Sequence, residues 1–112
     1  TDGQVWGESC GLYMHKFVKR GARNDESQVM KLQQFLNKNG FGPVEVTGEY
    51  DQATFDAVMA FQAANWQEIL SPWVPFGLPS ATTPTGYVYK TTLRWINMTE
   101  CPALNLTLPA LP

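Results

Sequence analysis

Two stretches of the chain, residues 47–58 and 85–96, repeat one another at an offset of 38 positions. The shared skeleton is Thr-Gly (Thr47-Gly48, Thr85-Gly86), a bulky residue two places after the glycine (Tyr50, Val88), a threonine (Thr54, Thr92), then an apolar pair (Phe55 and Val58, Leu93 and Ile96). Each element has a physical task. Glycine allows a turn at positive φ, the bulky residue plugs a core, and the apolar pair at i, i+3 gives the helix that follows one buried face. One turn-then-helix unit is therefore used twice, and both glycines are expected at φ > 0 or where a Cβ would clash.

The sequence upstream supplies a helix of the same kind. Asn24 or Asp25 can cap it, Gln28 stands at capping-box spacing from Asp25, and Gly40 suits the position after its end. Val29, Leu32 and Leu36 share its apolar face. Asp51 is the expected cap of the central helix, which buries Phe55, Ala57, Val58 and Phe61 and cannot run far past Leu70 because Pro72 and Pro75 follow. Before these, Gly11–Arg20 reads as a short helix with Leu12, Tyr13 and Phe17 on one side, stopped by Gly21. Val44–Val46 reads as a brief extended piece, Ser71–Pro84 as a loop ordered by packing of Trp73 and Phe76, and Thr91–Met98 as the last helix.

The spacing V-x-x-L-Q-x-x-L (Val29, Leu32, Gln33, Leu36), then T-G-x-aromatic-D-x-x-T-x-x-A-V-x-x-F-Q (Thr47 to Gln62), then a second Thr-Gly-x-Val, resembles the peptidoglycan-binding-like domain over roughly residues 24–98. The resemblance implies a mainly α fold of three to four helices. It also implies a non-catalytic, secreted or cell-surface module that binds cell-wall glycan or peptide, or anchors a larger protein to it. Residues 63–84 depart from the family pattern, being long and rich in Pro, Trp and Ala.

Composition bounds the alternatives. A chain of 112 residues with 44% apolar content suits one small domain with one modest core. The formal charge of -2 gives no general attraction to nucleic acid, and six of the eight Lys and Arg residues lie between Lys16 and Lys38, as a solvated basic face. No run is long and apolar enough to span a bilayer. His15 stands alone, Asp51 is engaged as a cap, Asp56 falls on a polar face, and no Gly-rich phosphate loop occurs, so neither catalysis, nor a metal, nor a cofactor is expected.

Binding is the more natural reading of the aromatic residues near the loops. Sugar rings lay their C–H faces on Trp and Tyr, and amides and hydroxyls take hydrogen bonds. Tyr50, Trp73, Tyr87, Tyr89, Arg94, Gln33 and Gln62 are the candidates, each with a competing role in core packing or helix-surface hydrogen bonding.

Cys10 and Cys101 bracket the repeat region. They form neither CxxC nor, with one histidine, a zinc site, so a disulfide is expected, two free thiols being the alternative. Closing so long a loop stabilises by about 4 to 5 kcal/mol in the chain-entropy model, and implies an extracellular or cell-surface setting. The start at Thr1 suggests a processed or excised chain, and Asn97-Met98-Thr99 and Asn105-Leu106-Thr107 are candidate glycosylation sites.

The organisation expected is thus a leader (1–9), the helical domain (10–101) and an extended tail (102–112). In the tail Leu104, Leu106 and Leu108 alternate with polar residues, and Leu111 follows. Such a period-two pattern reads as a half-buried strand whose partner is a neighbouring copy. That defines the alternative function, a self-assembling subunit of an extracellular filament or surface layer, glycosylated where a sequon is used. The partners expected are cell-wall glycan or peptide, or copies of the chain itself.

Overall fold

The structure is a computed structural model that describes residues 11–111. The leader 1–9 and Cys10 lie outside the described residues. A short strand β1 (Val18–Lys19) is followed by helix α1 (Glu26–Lys38), helix α2 (Gln52–Ala64), a single-turn helix α3 (Trp66–Ile69) and a 3-10 helix (Ser71–Phe76). Strand β2 (Tyr87–Val88), helix α4 (Lys90–Glu100) and a 3-10 turn (Pro102–Leu104) complete the order. The mainly helical class is as expected. The Ser71–Pro84 segment, however, begins as a 3-10 helix, and Val44–Val46 forms no strand.

Capping sets both long helices. Asp25 accepts from Gln28 N at the start of α1 and also holds Ser27 Oγ at 2.6 Å and Lys16 Nζ at 2.8 Å. The Lys16 hydrogen bond, then the Ser27 and Gln28 bonds, keep this carboxyl well below the usual carboxylate range. Asp51 accepts from Thr54 N (3.0 Å) and Thr54 Oγ1 (2.7 Å) at the start of α2, which lowers its pKa in the same way. Gln28 does not complete a capping box; its Oε1 reaches back to His15 N (2.6 Å) and Lys16 N (3.0 Å).

The core is Val29, Leu32, Phe35 and Leu36 of α1, Ala57, Val58 and Phe61 of α2, Ile69 and Leu70 around α3, Val88, and Ile96 of α4. Phe61 is its aromatic hub, edge-on to Phe35 (5.2 Å between centroids) and to Phe41 (5.5 Å). Phe55, Leu93, Trp66 and Trp95 pack against this cluster half-buried.

Residues 11–20 correct the sequence reading, since they form no helix. Met14 and Val18 are buried, while Leu12 and Phe17, expected on the apolar side, are 40% and 45% exposed. The segment's backbone is bonded from outside. Val18 pairs with Val88 and Lys19 with Tyr87 in an antiparallel ribbon, Met14 N donates to Asn97 Oδ1 (2.8 Å), and Asn97 Nδ2 donates to Met14 O (3.0 Å). So short a segment has little helical stability of its own, and tertiary partners decide its conformation.

The tail also differs from expectation, because it lies on its own domain. After the turn at Asn105, which adopts the left-handed region (φ 46°), the chain runs back along α4. Met98 Sδ accepts from Leu106 N, Arg94 Nε and Nη2 donate to Leu106 O (3.1 and 3.0 Å), and Lys90 Nζ donates to Ala110 O (2.9 Å). Met98, Arg94 and Lys90 stand one helical turn apart, so α4 offers a ladder of side chains in place of a sheet edge. Leu104, Leu106 and Leu111 are half-buried and Leu108 is 52% exposed. Cys101 is buried at the end of α4 and no described cysteine is free, while its expected partner Cys10 lies outside the described residues.

Candidate functional site

Gln33 and Gln62 organise the two repeats. Gln33, on α1, accepts from Thr47 N (2.9 Å) and Gly48 N (3.0 Å) through Oε1, and donates through Nε2 to Glu49 O (2.9 Å) and Thr54 Oγ1 (3.0 Å). Gln62, on α2, accepts from Thr85 N (3.0 Å) and Gly86 N (2.9 Å), and donates to Tyr87 O (3.0 Å) and Thr92 Oγ1 (3.1 Å). The two glutamines make the same bonds at equivalent positions. Gly48 and Gly86 sit at φ +86° and +72°, as the repeat predicts.

Both glutamines are 0% exposed, and their amides are committed to the turns. They are interior clamps, which removes them from the set of ligand-binding candidates. Tyr50 leaves that set too. It is 9% exposed, its hydroxyl donates to Gly86 O of the other repeat, and burial pushes its phenol pKa up. Arg94 is occupied by the tail and by Glu68 Oε1 (3.3 Å).

Trp73, Tyr87 and Tyr89 are brought together. They line a cleft of about 300 Å³ between the 3-10 helix, β2 and the start of α4, closed beneath by Ile69 and Leu70 and flanked by Phe76 and Leu78. Tyr87 and Tyr89 stack at 5.0 Å and 21°, Trp73 lies 5.6 Å from Tyr89 at 33°, and Phe76 meets Trp73 edge-on at 6.2 Å. Trp73 Nε1 donates to Thr91 Oγ1 (2.9 Å), whose hydroxyl donates to Ile69 O, so the indole is held by α4. Tyr87 has its pKa raised by burial and by the neighbouring Tyr89 phenol. Neither phenol hydroxyl hydrogen-bonds to a described residue.

Extended backbone explains this grouping. It runs through β2 and on into Tyr89, so side chains alternate: Val88 enters the core, and Tyr87 and Tyr89 fall on the other face together. Phe76, read from sequence only as a loop anchor, is 52% exposed at the cleft and is the element the sequence reading undervalued. Its position after Trp73 in a proline-punctuated run was the available signal.

Of the two sequons, Asn97 is closed: it is 2% exposed, with both amide atoms on Met14. Asn105 is exposed at its turn. Among the described residues no His, Cys, Asp and Glu side chains group as metal ligands, and no helix is long and apolar enough to cross a membrane.

Residues 25–66 match the family described as "Putative peptidoglycan binding domain". The matched stretch holds α1, the first Thr-Gly turn, α2 and the Gln33 clamp; the aromatic cleft lies almost wholly beyond it. No curated protein and no solved structure matches the chain significantly.

Proposed function

We propose that this chain is a non-catalytic module that binds the bacterial cell wall, with the Trp73, Tyr87 and Tyr89 cleft as its ligand site. The observation that carries the reading is the family match over residues 25–66, which makes peptidoglycan the partner of this kind of domain. The cleft supports the location. It is a concave, mainly apolar site with few polar groups, the usual form of a small-ligand site. Purified protein should co-sediment with peptidoglycan sacculi at micromolar concentration, and protein that stays wholly in the supernatant at tens of micromolar refutes the reading.

Action at the cell surface is part of the same proposal, together with a Cys10–Cys101 disulfide holding the two ends of the domain. Alkylation without reductant should leave the mass unchanged; addition of two labels would remove the staple. Asn105, exposed at its turn, is the sequon open to a glycan if the host attaches one. The filament alternative rested on a tail needing a neighbour, and the bonds from Lys90 and Arg94 leave it without a specific supporting observation.

A further inference from the structure

The chemistry of the cleft distinguishes between the two parts of the wall polymer, an N-acetylated glycan and the short peptide stems it carries. Among the described residues its lining contains no Asp, Glu, Lys, Arg or His; the polar side-chain groups are hydroxyls and the already committed Gln62 amide and Trp73 indole N–H. A stem peptide brings carboxylates and amines, and taking such charges out of water is costly unless each meets an opposite charge. Nothing in this lining supplies one. Two cations, Lys19 and Lys90, lie over the Tyr87 and Tyr89 rings at 5.3 and 5.7 Å from the centroids, and neither belongs to the lining.

What the lining does supply suits a neutral, amphipathic ring. The Trp73 and Phe76 rings offer apolar surface for sugar C–H groups and an acetamido methyl. The Tyr87 and Tyr89 hydroxyls, side by side and without a protein partner among the described residues, can each donate and accept toward an amide or ring hydroxyl. Tyr89 also occupies the N-cap position of α4, where it makes no capping bond, while the equivalent residue of the first repeat is the capping Asp51. An aromatic ring there serves the cleft and not the helix.

We propose that this cleft recognises an N-acetylated sugar of the glycan strand and does not read the peptide stems. The proposal rests on the wall-binding reading above. The full chain should be sedimented with intact sacculi, and titrated separately with soluble glycan strands freed of their stems by an amidase, with the released stem peptides and with a chito-oligosaccharide, while tryptophan fluorescence is followed. The freed glycan strands and the oligosaccharide should change the emission while the stem peptides do not, and Trp73→Ala should weaken binding to sacculi at least tenfold. Because Trp73 also anchors its segment, the Tyr87→Phe, Tyr89→Phe double variant keeps every ring and removes only the hydroxyls; it too should lose about tenfold, in line with an unmet hydrogen bond or two.

If the stem peptides bind and the freed glycan strands do not, the stems are the ligand and this inference fails while wall binding stands. If intact sacculi do not bind at all, both fail. Unchanged binding by the double variant, or by folded Trp73→Ala, also overturns the assignment, because the ligand then sits elsewhere.

Discussion

In the first repeat the position that opens the helix holds Asp51, whose carboxylate caps α2; in the second the equivalent position holds Tyr89, and α4 starts uncapped. The connections before the turns differ as well. Gln33 precedes its turn by 14 positions and Gln62 precedes its own by 23, the added length carrying α3, the 3-10 helix and Trp73. Inside, the two repeats keep an identical glutamine clamp. Outside, the first caps its helix with a carboxylate, and the second lacks that cap, worth about 1 kcal/mol, and places an aromatic ring in the lining of the cleft. Departures from local rules of this kind concentrate where a surface has work other than folding.

The strongest break of this comparison is at the clamps, where the account requires equality. Gln33→Ala and Gln62→Ala each take the acceptor from two turn N–H groups, in part-buried bonds and for Gly86 a buried one, and the donor from a buried threonine hydroxyl, so each should lower unfolding free energy by about 3 kcal/mol in urea titration. A loss below about 1 kcal/mol for one of them would mean that the two turns are not held alike. The glycines should then separate the repeats. A Cβ on Gly86 would overlap the Phe55 ring, whereas on Gly48 it would meet the flexible Glu26 side chain. Gly86→Ala should cost about 2 kcal/mol or more and Gly48→Ala about 1, the strain of positive φ being common to both. Equal costs would show that the interior of the second turn is looser than its packing suggests.

Deleting residues 103–112 should destabilise the domain by about 1 to 2 kcal/mol, since it removes the carbonyls held by Arg94 and Lys90. An unchanged denaturation midpoint would return the tail to a role outside its own chain. The smallest effect is acid sensitivity. Asp25 and Asp51 have lowered pKa values in the folded state, so their stabilisation is present above the unfolded value of about 3.9 and is lost as pH falls through and below it. Asp51→Ala should cost about 1 kcal/mol at neutral pH and flatten that acid slope; Tyr89→Ala should leave the slope as it is.

The features legible in the sequence were those fixed by local stereochemistry. The two Thr-Gly turns, the Asp25 and Asp51 caps and the spacing of Val29, Leu32 and Leu36 each depend on neighbours within a few residues, and each stands where the pattern put it. The roles of Gln33 and Gln62 were hidden because a polar residue on a helix reads as surface until its distant partner is known. Residues 11–20 and the tail misled for the same reason. Their backbones are satisfied by Gln28, Asn97, Arg94 and Lys90, side chains remote in sequence, whereas periodicity registers only the segment's own alternation. In the candidate site, Trp73, Tyr87 and Tyr89 were legible as aromatic residues near loops, but their convergence depends on the pairing of β1 with β2 and on the 3-10 helix.

The central claim is that the second repeat has exchanged a helix cap for a ligand-facing ring, and Tyr89→Asp tests it by restoring the first repeat's residue. The variant gains a carboxylate placed to cap α4 and loses the ring that joins Trp73 to Tyr87. Co-sedimentation with sacculi and thermal melting should be measured on the same preparation. The account predicts binding reduced at least tenfold with a melting temperature within about 5 °C of the parent, a shift worth roughly 1 kcal/mol in a domain of this size. A variant that melts with the parent and binds sacculi as well as the parent would contradict it.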